Sequence, residues 1–193
     1  VYGDRLPNER SFVYNSIDKL FYIFDRGKIY TYNETTKDQF LLVDYGIKAN
    51  HIYSAMKCDK NGNIHLVFTC GKQVVYCTNC KGYNSDGDSV QHKIEEGMII
   101  ESNALVNEYL NPDLQINSKN NVVMIVWEED FGYCSNVSGV WYRNGELYQE
   151  QQELVNNTLH NHAPKIALKN SGGWYLACID TEPYMNIVES VLD

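Results

Sequence analysis

Carboxylates in a row, histidines two apart and closely spaced cysteines are the residues here with the means to do chemistry. Glu128-Glu129-Asp130 is the densest acidic cluster and follows the apolar run Val122-Val123-Met124-Ile125-Val126-Trp127. Asp180 and Glu182 follow a second apolar run in the same way, and Asp25 a third. Two carboxylates about 5 to 9 Å apart suffice to hydrolyse a glycosidic bond. Adjacent residues of an extended chain point to opposite sides, so Glu128 and Glu129 would not converge on one bond. Glu128 and Asp130 share a side, but nothing in the local sequence sets their pKa values apart, as acid catalysis requires. With Phe131, Gly132 and Tyr133 beside them, the three acids are expected in a projecting hydrophilic loop. Ligand contact or solvation, not a catalytic pair, is their expected role.

His160-Asn161-His162 precedes Pro164. On a strand, residues i and i+2 face the same way, so the two imidazoles would suit a metal or a proton transfer. A polar loop whose histidines cap backbone groups is the commoner explanation. Cys77-Thr78-Asn79-Cys80 has metal-ligand spacing, but no second such pair completes a tetrahedral site. No metal and no cofactor are therefore expected. Cys77 and Cys80 therefore read as structural thiols, and Cys58, Cys70 and Cys178, in or beside strand-like runs, as small hydrophobes, although six cysteines would permit three disulfides. Three N-glycosylation sequons, beginning at Asn33, Asn136 and Asn156, matter only in a eukaryotic secretory pathway. Aromatic rings cluster near turn sequences, and rings beside Asn and Asp suit a sugar-binding surface. Trp127, Trp141 and Trp174 lie in strand-like runs and are expected in the core, Trp141 at least half buried. The expected ligand contacts are Tyr83, Glu128, Asp130, Phe131, Tyr133, His160, His162 and Tyr184; no residue is assigned a catalytic role.

These groups need elements to hold them. The chain has 193 residues, enough for one domain with a core, and it is 44% hydrophobic. A formal net charge of −9 excludes a basic nucleic-acid footprint. No apolar run is long enough to span a bilayer as a helix. The sequence begins Val1-Tyr2-Gly3-Asp4, as a mature or cut product would, so the missing leader says nothing about export. Fifteen tyrosines are many and suit strand edges and binding faces.

The pattern is all-β. Met56 to Thr78 shows it best: a turn at Asp59-Lys60-Asn61-Gly62, an apolar run Ile64 to Phe68, a turn at Gly71-Lys72, and a return through Val74-Val75-Tyr76. Similar units are expected at about 12–44, 51–97, 111–155 and 160–193 within a single domain, 1–193, with residues 1–11 a lead-in. The apolar second strands recur about 44 to 59 residues apart, within the range of propeller blades after loop variation. Only Ile99 to Tyr109 could form a short helix. A β-propeller-like fold of about four to five blades is the expected architecture, because each unit has one wholly apolar middle strand. A β-sandwich is the alternative.

Cys58-Asp59-Lys60-Asn61-Gly62-Asn63-Ile64-His65-Leu66-Val67-Phe68 resembles the repeats of sialidase-like, BNR-type β-propellers. Asn111-Pro112-Asp113-Leu114-Gln115-Ile116 and Ala163-Pro164-Lys165-Ile166-Ala167-Leu168 are similar to their Pro-bearing innermost strands. The strict Asp-box is absent. The resemblance implies architecture rather than chemistry, and four units suit a four- or five-bladed ring, or part of a longer chain, better than a six-bladed sialidase. The only arginines are Arg5, Arg10, Arg26 and Arg143, too few in matching places for a sialidase arginine triad. His160 and His162 resemble the histidine of propeller polysaccharide lyases, where a Tyr is acid and base. The expected function is non-catalytic recognition of a glycan or cell-surface receptor, as in lectins or viral receptor-binding proteins, secreted or on a virion or cell surface. A carbohydrate-active hydrolase or lyase is the alternative, and an intracellular interaction scaffold a third. Expected partners are a glycan or surface protein, with no nucleic acid, no membrane insertion and a possible homo-oligomer.

Overall fold

The computed structural model describes residues 10–47, 52–78, 98–155, 161–180 and 185–190. All the regular structure within them is antiparallel sheet. The first sheet runs β1 (Arg10–Asn15), β2 (Leu20–Asp25), β3 (Lys28–Tyr32) and β4 (Gln39–Asp44). The second runs β5 (Ser54–Cys58), β6 (Ile64–Cys70), β7 (Gln73–Thr78) and β8 (Met98–Glu101). The third comprises β9 (Glu108–Asn117), β10 (Val122–Asp130), β11 (Ser135–Arg143) and β12 (Glu146–Val155). The fourth has β13 (Asn161–Leu168), β14 (Trp174–Asp180) and β15 (Met185–Ser190).

In each sheet the strands follow chain order, and the first strands β1, β5, β9 and β13 lie side by side. That is the arrangement of propeller blades around an axis, with those strands innermost. The sheets stack through three cores. Phe24, Ile29, Leu66 and Phe68 fill the space between the first and second, and Val74, Leu114, Ile125 and Trp127 that between the second and third. Met124, Val126, Trp141, Trp174 and Leu176 fill that between the third and fourth. Strand β10 explains its own composition. Val123, Ile125 and Trp127 pack toward the second sheet while Val122, Met124 and Val126 pack toward the fourth, so both faces must be apolar. The three tryptophans are buried, including Trp141.

The Asp59–Gly62 turn forms as expected. Asp59 Oδ1 accepts from the N–H of Asn61 at 2.9 Å and of Asn63 at 2.8 Å, and Gly62 takes the left-handed φ of 82°. Two expectations are corrected. No helix spans Ile99 to Tyr109: that stretch is divided between β8, a turn and β9. Asn103 Oδ1 accepts from Leu105 N–H at 2.9 Å and closes a local turn that competes with a helix. Residues 1–11 are not wholly a lead-in, because β1 begins at Arg10 and pairs with β2 from there.

Among the described residues nothing covers the outer face of the first sheet, where Phe12 and Leu41 are exposed, or that of the fourth, where Tyr175 and Ile179 are exposed. The innermost strands all start at the same end of the structure, and the second strands finish there. That end is the mouth.

Candidate functional site

The mouth between the third and fourth sheets is built by a repeated backbone device. The innermost strands of these two sheets each carry an X-Pro pair near the start, Asn111-Pro112 in β9 and Ala163-Pro164 in β13. Proline cannot donate to the ladder. The pairing slips at both places, between Val126 and Glu128 on the strand facing β9, and between His162 and Lys165 on β13. Asn111 and Ala163 take left-handed φ values of 45° and 48°. A bulge of this kind bends the strand and turns backbone N–H groups away from their ladder partners.

Two carboxylates of the third sheet accept N–H groups from β13. Glu128 Oε2 accepts from Ala163 N–H at 3.2 Å, and Asp113 Oδ2 from Ile166 N–H at 3.0 Å. Glu128 Oε2 also accepts from Asn111 Nδ2 at 2.9 Å, and its Oε1 lies 2.7 Å from His162 Nδ1. Because an ionised carboxylate only accepts, the imidazole proton sits on Nδ1, and Nε2 is the basic nitrogen of the neutral ring. Burial pushes the Glu128 carboxyl up, but the hydrogen bonds from His162, Asn111 and Ala163 outweigh it and hold it below the ordinary range. Burial pushes Asp113 up, and Lys165, the Ile166 N–H and Lys57 offset only part of that. The Lys165 ammonium stands 3.8 Å from Asp113 Oδ1.

The structure corrects the expected loop at Glu128. Glu128 and Glu129 belong to β10 and are buried, Glu128 completely. They do point to opposite faces. Glu128 turns toward the fourth sheet, whereas Glu129 Oε1 accepts from Trp127 Nε1 at 3.1 Å and from Gln151 Nε2 at 3.3 Å. Burial raises the Glu129 carboxyl, and the nearby carboxylates of Glu101 and Glu153 add to the shift. Complete burial takes Glu128 off the ligand-contacting surface; it holds His162 and Ala163 instead. His162 is partly open, its side chain 17% exposed.

Asp130 ends β10, and its Oδ1 accepts from Gly132 N–H at 2.7 Å to tighten the turn into β11. On that turn the rings of Phe131 and Tyr133 are 6.3 Å apart, and Tyr133 is 79% exposed. The structure thus joins Glu128 to His162 and sets Asp130, Phe131 and Tyr133 at the end of the same strand. Tyr83, His160 and Tyr184 lie outside the described residues. Asn111, Asp113 and Ala163 were missed as site residues; the repeated X-Pro pair was the signal that could have found them. The described cysteines, Cys58, Cys70, Cys77, Cys134 and Cys178, are thiols rather than disulfides. Among the described residues no cluster of three His, Cys, Asp or Glu side chains is placed to hold a metal ion.

No known protein-family profile matches the chain, and no curated protein matches it. Solved structures do match. An endo-1,4-β-xylanase from Bacteroides thetaiotaomicron is similar with a TM-score of 0.51 and 13% identity, over 95% of this chain and 71% of that one. An endo-arabinase from the same organism gives 0.51 and 9%, over 95% and 75%. A thermostable family-43 glycoside hydrolase gives 0.51 and 8%, over 100% and 76%. The fold is a β-propeller. At these identities the likeness concerns the fold, and it supports the propeller part of the resemblance to sialidase-like repeats.

Proposed function

We propose that the chain is part of a carbohydrate-active enzyme whose glycan site is the mouth between the third and fourth sheets. The observation that carries this reading is His162, held through Nδ1 at 2.7 Å by the buried Glu128 while its ring remains partly open at the mouth. A carboxylate fixing one imidazole nitrogen sets the tautomer and orients the other as an acid–base group. The propeller neighbours named as xylanase, arabinase and glycoside hydrolase favour this reading over non-catalytic binding. The exposed ring of Tyr133, on the turn that ends β10, then offers a face to a sugar residue.

Glu128 and Asp113 are a poor hydrolytic pair, since both are occupied by the backbone of β13. His162 is the group we assign to proton transfer, either to a leaving oxygen or from a sugar carbon next to a uronic carboxylate. Xylan, arabinan and a polyuronate are the substrates to offer. New reducing ends without ultraviolet absorbance mark hydrolysis, and reducing ends with an absorbing unsaturated product mark elimination. His162→Gln is expected to lower either activity by about 10²–10⁴-fold, the usual worth of a positioned acid–base group. Wild-type protein that binds these polymers without cleaving any of them would overturn the enzymatic reading.

The second reading is a lectin-like or receptor-binding propeller of BNR type, secreted or displayed on a surface. The exposed ring of Tyr133, backed by the partly buried Phe131, favours it, because an aromatic rim can hold a glycan without any chemistry at His162.

A further inference from the structure

A polar cleft of about 250 Å³ opens between the second and third sheets at the end of the structure opposite the mouth. Asp59 and His65 line it together with the amides of Asn61, Asn63, Asn121 and Asn144. Ile116 and Val123 give it an apolar patch. Its turns come from β5–β6, β9–β10 and β11–β12, so two blades build it jointly.

His65 is the unusual member. It is 7% exposed, and its Nδ1 lies 2.7 Å from Tyr76 Oη. Among the described residues its Nε2 is buried without a hydrogen-bond partner. The nearest carboxylate oxygen, Asp59 Oδ2, is 3.6 Å away, too far for a hydrogen bond. Asp59 is fixed where it stands: the N–H groups of Asn61 and Asn63 bind Oδ1, and Asn63 Nδ2 binds Oδ2 at 2.8 Å. A buried polar nitrogen left unpaired beside a fixed acceptor is costly. With Tyr76 Oη donating to Nδ1, the ring proton sits on Nε2, and a hydroxyl oxygen seated at the edge of that 3.6 Å gap can accept from Nε2–H and donate to Oδ2.

We propose that this cleft binds one neutral sugar ring, with one hydroxyl bridging His65 Nε2 and Asp59 Oδ2 and others meeting the surrounding asparagine amides. Amides both donate and accept, as hydroxyls do. Ile116 and Val123 offer an apolar patch to a C–H face of the ring. The cleft holds roughly eight waters at ~30 Å³ each, and it falls below the ~300–1,000 Å³ of drug-sized pockets. One ring therefore fits better than a chain. An anion is disfavoured because Asp59 lines the cleft and, among the described residues, no Lys or Arg does. A metal ion is disfavoured because, among the described residues, the cleft offers one carboxylate and one imidazole. The ligand class follows from this lining and does not rest on catalysis at the mouth.

The test is a titration of isotopically labelled protein with D-xylose, L-arabinose, D-galactose and D-glucose, and separately with inorganic phosphate and calcium chloride. The backbone signals of Asn61 and Asn63 and the ring signals of His65 report the cleft. Saturable one-to-one shifts with at least one neutral sugar, and none with phosphate or calcium, are expected. Asn144→Gly keeps a turn residue suited to the φ of 53° while removing an amide, and Asn61→Ala trims the rim. Each is expected to weaken the sugar up to about tenfold without changing the melting temperature, and His65→Phe to abolish binding. Sugar titrations that leave these signals still, shifts caused by phosphate or calcium instead, or unchanged affinity in both rim variants would overturn the site. His162→Gln is expected to leave this binding intact, so failure here and failure at the mouth are separable.

Discussion

Replacing Glu128 with Ala strands three donors: Asn111 Nδ2, the Ala163 N–H and the His162 ring N–H. His162 keeps a route to water because its side chain is 17% exposed. The other two are counted at ~1–3 kcal/mol each. With the cavity left by the side chain, the loss should be about 3–5 kcal/mol. Glu128→Gln keeps the shape but turns an amide N–H₂ toward donors, and should cost about 1–3 kcal/mol. The two variants also differ in acid. The Glu128 carboxyl is held below its ordinary range, so its contribution is complete above the unfolded value of about 4.3 and is lost as pH falls through the lower folded value. Wild-type protein should therefore shed that contribution in acid, below about pH 4, and Glu128→Gln should not. Urea unfolding followed by the emission of the buried tryptophans, at pH 7 and in steps down to about pH 3, reads both effects. Glu128→Ala within ~0.5 kcal/mol of wild type at pH 7 would refute the reasoning.

Asp113 should behave in the opposite sense. Its folded carboxyl is raised, so ionisation at pH 7 opposes folding; Asp113→Asn keeps an acceptor for Ile166 N–H and should be neutral or stabilising by up to ~1 kcal/mol, read by the same urea titration. Ala163→Gly removes the left-handed strain at φ 48° and should raise the melting temperature, by a net ~1 kcal/mol or less, provided the bulge persists. Trp127→Ala, at a fully buried ring, should cost about 3–5 kcal/mol by chemical denaturation.

What was legible in the sequence follows from burial. Ile64–Phe68 and Val122–Trp127 announce themselves because a middle strand packed on both faces must be apolar at every position. The Asp59–Gly62 turn was legible because its hydrogen bonds are local. Strand β12 is polar over most of its length, as an outer strand with a solvent face allows, and no local signal marks it. The acids at the end of β10 were misread for a related reason. An acidic triplet looks like a loop unless the donors that satisfy it are known. Those donors are partly long-range, Ala163 N–H and His162 from the fourth sheet, and the short-range indole of Trp127 gave no hint on its own. The cleft at His65 was invisible because two blades contribute to it.

The claim that the mouth is the glycan site is tested most directly at the His162 imidazole. Ring signals of labelled protein are followed while xylo-oligosaccharide, arabino-oligosaccharide and oligouronate are added in turn. With at least one of them the His162 ring signals should shift in a saturable way, together with those of Tyr133 on the same end of β10. Binding or cleavage of any of these chains while the His162 signals stay still would contradict the account.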